Sequence, residues 1–158
     1  MGQNSQNAPI VLRSPDAGEC DYLTELCLRS KAVWGYDAGF IANCREELTI
    51  NAADIASDNI MVAEQAGTVI ALAQIEEDAQ DCYLDKLFVD PDSMHNGAGK
   101  ALFLWAVKQA QSKGFGELII ESDPGAAQFY LKMGAIEAGE APSQSIAGRI
   151  LPRLTVQL

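Results

Sequence analysis

The sequence is poor in positive charge. Eleven Lys and Arg residues stand against 22 Asp and Glu residues in a chain of 158, and the formal net charge is −11. A surface with this excess of negative charge repels nucleic acid phosphates, so we do not expect DNA or RNA as a partner. The charge favours a cationic or amine ligand only weakly, because the same excess also keeps a protein soluble.

Histidine and paired-cysteine motifs are scarce as well. The one histidine is His95, and the spacings of Cys20, Cys27, Cys44 and Cys82 match neither a CxxC motif nor a zinc site. We therefore expect no metal, and four reduced thiols that are mostly buried. Catalysis by a cysteine needs a neighbouring base, and the only histidine lies in a Gly-rich loop. We therefore do not expect a Cys–His catalytic pair.

Long apolar runs are missing too. No segment approaches the roughly 20 apolar residues that span a bilayer, and the polar N-terminus lacks the apolar stretch of a signal peptide. We therefore expect a cytoplasmic protein without membrane contact. Residues 1–9 are predicted to form a flexible tail, and residues 10–158 one domain around one core.

The pattern of apolar and polar residues predicts an α/β domain with a mixed sheet. The expected order is a strand, two helices, three strands, a helix, a strand, a helix and two strands. Asp16 and Glu19 have capping-box spacing at the start of the first helix. The last two strands are expected at 135–138 and 149–157.

A glycine-rich turn lies between a predicted strand and a predicted helix. Gly97 and Gly99 let the backbone approach a ligand closely, and the free N–H groups at a helix start attract anions. The turn therefore suits a phosphate or pyrophosphate. It is not a Walker A loop, because Ala101 follows Lys100, and Leu102 stands where a dinucleotide fingerprint needs its third glycine.

Three segments together resemble the GNAT superfamily of acyl-CoA-dependent N-acetyltransferases. They are Leu87-Phe88-Val89-Asp90-Pro91, Gly97-Ala98-Gly99-Lys100-Ala101-Leu102, and the Ala127-Gln128-Phe129-Tyr130 block that runs to Gly134-Ala135. Their order and separation fit the family along nearly the whole chain. The resemblance implies an α/β (α+β) fold with a mixed, mostly antiparallel sheet of about seven strands and about four flanking helices.

The resemblance also implies acetyl-CoA as cosubstrate. The backbone amides of residues 97–101 would hold the pyrophosphate, and the backbone of Leu87 and Val89 would pair with the pantetheine arm. Met94 departs from the family pattern, which usually has Gln or Arg there, so we expect weakened rather than abolished binding. The full cofactor-binding set is Leu87, Phe88, Val89, His95, Asn96, Gly97, Ala98, Gly99, Lys100, Ala101, Gln128 and Phe129.

Catalysis is assigned first to Tyr130, whose position in the family lies near the thioester sulfur. Its phenol would protonate or stabilise the leaving thiolate. The base is left open between Asp85, Glu64, Glu121 and ordered water. Trp34 and Tyr36 lie in the region that the resemblance identifies as an acceptor wall, where aromatic rings would cover an amine.

The expected reaction is direct transfer of an acetyl group to a primary amine in a ternary complex. Oxyanion stabilisation by a backbone N–H near Val89 would assist it. A small amine and a peptide amine both remain open as acceptors. The alternative is a non-catalytic module that binds acyl-CoA or regulates, which the Met94 departure favours. Dimers are common in the family, so a homodimer is one assembly that the resemblance allows.

Overall fold

The computed structural model describes residues 7–158, so most of the predicted tail lies outside the described residues. The chain forms an α/β domain with a seven-stranded sheet, as predicted. The strands are β1 (Ile10–Arg13), β2 (Ile60–Gln65), β3 (Thr68–Glu77), β4 (Cys82–Val89), β5 (Glu117–Glu121), β6 (Ile136–Pro142) and β7 (Ile150–Gln157). The helices are α1 (Cys20–Ala32), α2 (Ala38–Leu48), α3 (Ala52–Ala56), α4 (Ala98–Ser112) and α5 (Ala127–Lys132).

The start of the first helix follows the predicted capping box. A 3₁₀ turn at Ala17–Glu19 leads into α1, and the backbone N–H of Asp16 donates to Glu19 at 2.8 Å. Glu19 also accepts from Arg13 on β1 at 2.9 Å. One glutamate therefore satisfies a helix terminus and fixes the strand that precedes it.

Two elements differ from the sequence-based expectation. Helix α3 was not predicted, because five residues are too few to show a helical period. A second capping box fixes it, in which Asn51 accepts from the N–H of Asp54 at 3.0 Å and Asp54 accepts from the N–H of Asn51 at 2.9 Å. Strand β6 also runs four residues beyond the predicted 138, across a bulge at the left-handed Gly139.

The sheet has the order β1-β2-β3-β4-β5-β7-β6. Every neighbouring pair is antiparallel except β4 and β5, which are parallel and pair only at Tyr83 and Ile119. Beyond that point the two strands separate, so the sheet opens between their C-terminal ends. This opening positions the candidate site.

A β-bulge lies where β4 leaves β5. Gln74 pairs with Lys86 and Ile75 pairs with Leu84, which leaves Asp85 as an extra residue on β4. A bulge bends its strand and increases the local twist. The bend therefore turns β4 away from β5 and places the Asp85 side chain at the opening.

Two hydrophobic clusters cover the two faces of the sheet. One contains α4 and the Tyr130 helix, with Leu102, Phe103 and Leu118 fully or almost fully buried. The other contains α1 and α2, with Leu23 and Leu26 fully buried. Within residues 7–158, no helix is both long and apolar enough to cross a membrane.

Candidate functional site

Two cavities meet at the opening between β4 and β5. The first, which we call the cleft, has a volume of about 490 Å³ and is bordered by Leu87, Val89, the glycine-rich turn and α5. The second, which we call the acidic pocket, has a volume of about 790 Å³ and is bordered by parts of α2, α3, β3 and β4. Leu84, Asp85 and Glu121 line both cavities, and we call them the junction.

The glycine-rich turn is held in an unusual backbone conformation. His95 and Gly97 have positive φ angles of 67° and 94°. Asn96 anchors the turn, because its side-chain amide donates to Gln65 at 3.1 Å and its side-chain oxygen accepts from the N–H of Ala98 at 3.2 Å. Gly97 is needed here, since a residue with a Cβ is strained at this φ.

Three N–H groups of the turn remain available to a ligand. The N–H of Ala98 already donates to Asn96, and that of Ala101 donates to the carbonyl of Gly97 at 3.0 Å. Within residues 7–158, the N–H groups of Gly97, Gly99 and Lys100 have no acceptor. They border the cleft at the positive end of α4, an arrangement that suits a phosphate or pyrophosphate.

The free edge of β4 continues from this turn along the cleft. The N–H of Asp90 donates to Ile70 on β3 at 2.7 Å. Because N–H groups along a strand alternate between its two edges, those of Val89 and Leu87 point to the opposite edge, into the cleft. Phe88 borders the cleft and also packs against the cluster of α1 and α2.

Tyr130 lies inside the cleft and is 6% exposed. It packs against Phe129, with ring centroids 5.3 Å apart, and against Phe103 at 6.1 Å. Its hydroxyl makes no hydrogen bond to any described residue. Burial, and secondarily the charge of Asp123, raises the pKa of this phenol above its ordinary value. The group is therefore a neutral O–H donor without a partner in the described part of the chain.

The rim of the cleft contains Trp34, Gly125 and Met94. A Cβ on Gly125 would lie 2.7 Å from the Trp34 ring, so the glycine allows the indole to pack closely against the turn before α5. Trp34 is 41% exposed and stands at the open side of the cleft. Met94 contributes an apolar thioether to the lining of the cleft.

Tyr36 lies beside the cleft and lines neither cavity. Its hydroxyl donates to Asp123 at 2.8 Å and accepts from Arg149, and its ring stacks on Phe40 at 4.0 Å. Asp123 also forms ion pairs with Lys31 at 3.5 Å and with Arg149 at 3.6 Å. This cluster ties the α1–α2 connection and the β6–β7 loop to the residue that caps the turn before α5.

The acidic pocket has seven carboxylates and one ammonium group in its wall. Reduced hydration raises the pKa of Glu47 above its ordinary value. The charge of Asp85, and then reduced hydration, raises the pKa of Glu76. The ammonium belongs to Lys86, which is 6% exposed and pairs with Asp85 at 2.6 Å. The carboxylates are those of Glu47, Asp54, Glu76, Glu77, Asp78, Asp85 and Glu121.

The structure brings most, but not all, of the predicted site residues together. The predicted base candidates Asp85 and Glu121 lie at the junction. Glu64 lies outside both cavities and pairs with Arg13 at 3.4 Å. Gln128 is exposed on α5 and lines neither cavity. Tyr36, Ala98 and Ala101 also line neither cavity, and the N–H groups of Ala98 and Ala101 are already bonded to Asn96 and Gly97. The cleft is lined by the other predicted residues, which are Trp34, Leu87, Phe88, Val89, His95, Asn96, Gly97, Gly99, Lys100, Phe129 and Tyr130.

Sequence reasoning missed most of the acidic pocket. Glu47, Gln74, Glu76 and Lys86 come from three separate elements, so no short motif contains them. One signal was present: Lys86 stands between Leu84 and Phe88 in the alternation of β4, where a side chain is expected to be buried. A charged residue in such a position predicts a buried partner.

An opened sheet, a turn with available N–H groups and a cleft with a buried tyrosine form an arrangement suited to a domain that transfers a group from a phosphate-bearing cofactor. The sequence matches the acetyltransferase (GNAT) domain model over residues 38–145, and the chain belongs to this family of acetyltransferases. A comparison with curated proteins finds no match.

Solved structures with the same fold include other members of this family. PaiA N-acetyltransferase from Thermoplasma acidophilum, in complex with coenzyme A, is 19% identical, with a TM-score of 0.72 over 95% of this chain and 99% of that chain. A GCN5-related N-acetyltransferase from Rhodopseudomonas palustris is 20% identical, with a TM-score of 0.78 over 99% and 100%. The putative acetyltransferase YncA from Salmonella typhimurium, with acetyl-CoA, is 19% identical, with a TM-score of 0.68 over 95% and 94%.

Proposed function

We propose that residues 10–158 form a single domain that transfers an acetyl group from acetyl-CoA directly to a primary amine. The observation that carries this proposal is the set of three unpartnered N–H groups of Gly97, Gly99 and Lys100, which open into the cleft that also contains Tyr130. A cytoplasmic location fits this proposal.

Cofactor binding follows the length of the cleft. The pyrophosphate accepts hydrogen bonds from the three N–H groups, and the exposed Lys100 and His95 stand beside it. The pantetheine amides extend the sheet along the free N–H groups of Val89 and Leu87. Coenzyme A in the Thermoplasma structure and acetyl-CoA in the Salmonella structure support this assignment.

The chemistry takes place where the cleft meets the acidic pocket. A neutral amine nitrogen attacks the thioester carbonyl carbon, so that a C–N bond forms and the C–S bond breaks. A backbone N–H of β4 beside the junction stabilises the oxyanion, and the Tyr130 hydroxyl donates its proton to the departing sulfur. The amine proton passes to Asp85 or Glu121, directly or through water, since both carboxylates line the junction.

Direct transfer is favoured over an acyl-enzyme intermediate. None of the four cysteines, all of which lie in the described part of the chain, lines either cavity. The amine and the thioester therefore react within one complex, where proximity and orientation supply much of the rate.

The test is release of the coenzyme A thiol from acetyl-CoA in the presence of a panel of amines. We expect thiol release that depends on both the protein and the amine, with mass spectrometry showing one added acetyl group on the acceptor. Acetyl-CoA binding without thiol release for any amine would contradict the proposal.

The second candidate is a module that binds acyl-CoA without turnover. Met94 favours it, because this residue lines the cleft and supplies no hydrogen bond to a pyrophosphate. If Met94 limits cofactor affinity, Met94→Gln or Met94→Arg will tighten acetyl-CoA binding in calorimetry. A binding module predicts the same tightening with no thiol release in either protein, and an enzyme predicts turnover in both.

A further inference from the structure

We propose that the acceptor is an aliphatic diamine or polyamine, and that the acidic pocket holds its second, protonated nitrogen. The first nitrogen enters the junction and is acetylated. This inference rests on the proposed function, because it names the amine that the same site would use. It makes the acidic pocket a specificity site rather than part of an acidic surface.

Charge is the first observation behind this proposal. Two of the seven carboxylates in the pocket wall have a cationic partner, because Glu77 lies 3.4 Å from Lys113, which is outside the wall, and Asp85 lies 2.6 Å from Lys86. Glu47, Glu76 and Glu121 belong to none of the ion pairs formed within residues 7–158. Grouped carboxylates repel each other, and a bound ammonium group relieves that repulsion.

A buried amide provides a second and independent observation. Gln74 lines the acidic pocket and is 8% exposed. Its side-chain nitrogen donates to Asp54 at 2.8 Å, while its side-chain oxygen has no donor within the described residues. A buried oxygen without a donor is unfavourable unless a ligand supplies one. An ammonium group carries three N–H donors and no acceptor, which matches this oxygen and the adjacent carboxylate of Asp54.

The lining between these polar groups favours an aliphatic chain. Ile75, Leu84 and Leu151 contribute apolar surface to the same pocket. Methylene groups between two amines can cover this surface while each nitrogen reaches oxygen atoms. The volume of about 790 Å³ lies in the range typical of sites for small molecules.

The first experiment compares amines that differ only in the second nitrogen. Butylamine, 1,4-diaminobutane and spermidine are assayed by thiol release with saturating acetyl-CoA. We expect kcat/KM to be at least about 10-fold higher for the diamine and spermidine than for butylamine, because a paired charge contributes at this level. The advantage should shrink as NaCl rises from 0.05 to 0.5 M, since salt screens such attraction.

The second experiment assigns this advantage to the pocket. Glu76→Gln should raise the KM for 1,4-diaminobutane about 10-fold and change that for butylamine less than about 2-fold. Gln74→Leu should likewise raise the KM for 1,4-diaminobutane and leave that for butylamine nearly unchanged. The matched control is Glu46→Gln, which changes an exposed neighbour of Glu47 that lines neither cavity. This control should leave both KM values unchanged.

The outcomes separate this inference from the proposed function. Equal kcat/KM for butylamine and the diamines, or equal effects of Glu76→Gln and Glu46→Gln, would overturn the inference while acetyl transfer stands. Turnover of a ring diamine such as 2-deoxystreptamine without turnover of linear diamines would overturn the aliphatic assignment. Acetyl-CoA binding without thiol release to any amine would overturn the proposed function itself.

Discussion

The cleft and the acidic pocket share three residues and differ in almost everything else. Within residues 7–158, the cleft offers backbone N–H groups without acceptors at Gly97, Gly99 and Lys100 and along the edge of β4. The acidic pocket presents side-chain oxygens from several elements. The comparison teaches that backbone conformation builds one of these surfaces and that side chains from distant elements build the other.

The junction is where these two different surfaces meet. Because Asp85 is the extra residue of a β-bulge, its carboxylate lies in the wall of both cavities. Lys86, the next residue, is buried and pairs with it at 2.6 Å. The bulge therefore places an ion pair where the thioester of the cleft would meet the amine of the pocket.

The largest expected effect belongs to the buried phenol of the cleft. Tyr130→Phe should lower kcat about 100-fold, because it removes the proton donor for the leaving thiolate, while KM for the acceptor stays unchanged. The free energy of unfolding should not fall, since the hydroxyl has no partner within residues 7–158. Steady-state kinetics and urea denaturation measure the two quantities.

Tyr22 provides the matched control for this change. Its hydroxyl donates to the carbonyl of Val69 at 2.7 Å, outside both cavities. Tyr22→Phe should therefore cost about 1 kcal/mol of stability and leave kcat unchanged. A loss of stability in Tyr130→Phe with normal kcat would show that the phenol of the cleft is structural.

The second prediction compares the two ends of α4. Gly97 and Gly114 have φ angles of 94° and 88°, and at both positions a Cβ would meet no atom within 4 Å. Alanine at either position should cost about 1–2 kcal/mol of stability, because the left-handed conformation is strained. Only Gly97→Ala should weaken acetyl-CoA binding, by about 10-fold, as measured by calorimetry.

Equal binding in the two glycine variants would contradict the role of the turn. Weakened binding in Gly114→Ala would show that strain acts through the whole helix rather than through the N–H groups at its start. Both proteins should be compared at a temperature at which each remains folded, so that binding and stability are separated.

The third prediction concerns the contact between Trp34 and Gly125 at the rim of the cleft. Gly125→Ala should displace the indole, because the new Cβ would lie 2.7 Å from the ring. We expect KM for acetyl-CoA to rise about 5-fold, the size of a typical coupling between packed residues. In a Trp34→Ala background the same change should alter KM less than about 2-fold. The same effect in both backgrounds would place its cause outside this contact.

The smallest expected effect is the pH dependence of the two cavities. The pKa values of Glu47 and Glu76 are raised, so these carboxyl groups become protonated at a higher pH than free glutamate. As pH falls through the raised values, the pocket loses negative charge. We therefore expect KM for a diamine to rise about 3-fold at acidic pH, a range in which free glutamate is still ionised. Backbone N–H groups do not titrate there, so they should add no such rise to KM for acetyl-CoA.

Asp85→Asn sharpens this test. The charge of Asp85 is the largest cause of the raised pKa of Glu76, so its removal should move the rise in KM to lower pH. Asp78→Asn is the control, because backbone N–H groups of Gln80 and Asp81 already stabilise that carboxylate and lower its pKa. An identical pH profile in both variants would contradict the assignment to Glu76.

The two cavities also differ in how far sequence predicts them. The cleft depends partly on residues that are close in sequence, such as Gly97 and Gly99, so the strand, turn and helix pattern predicted an anion site there, and the family resemblance predicted acetyl-CoA. The same pattern predicted the sequence of helices and strands along the chain. The sequence did not predict the finer details of the cleft. Asn96 uses the N–H of Ala98, and Tyr36 bonds to Asp123 rather than lining a cavity, because both contacts depend on tertiary positions.

The acidic pocket could not be predicted in the same way. Its wall comes from α2, α3, β3, β4 and the loop before β7, and the short helix α3 itself was missed. The bulge at Asp85 depends on the register of β3 against β4, which a single sequence does not define. The excess of acidic residues was visible, but their convergence on one pocket was not.

The most direct test of the central claim is a crystal structure of the protein with coenzyme A. We predict pyrophosphate oxygens within about 3 Å of the backbone nitrogens of Gly97, Gly99 and Lys100, and the thiol beside the Tyr130 hydroxyl at the mouth of the acidic pocket. A pyrophosphate bound away from this turn, or a thiol that does not reach the junction, would contradict the account.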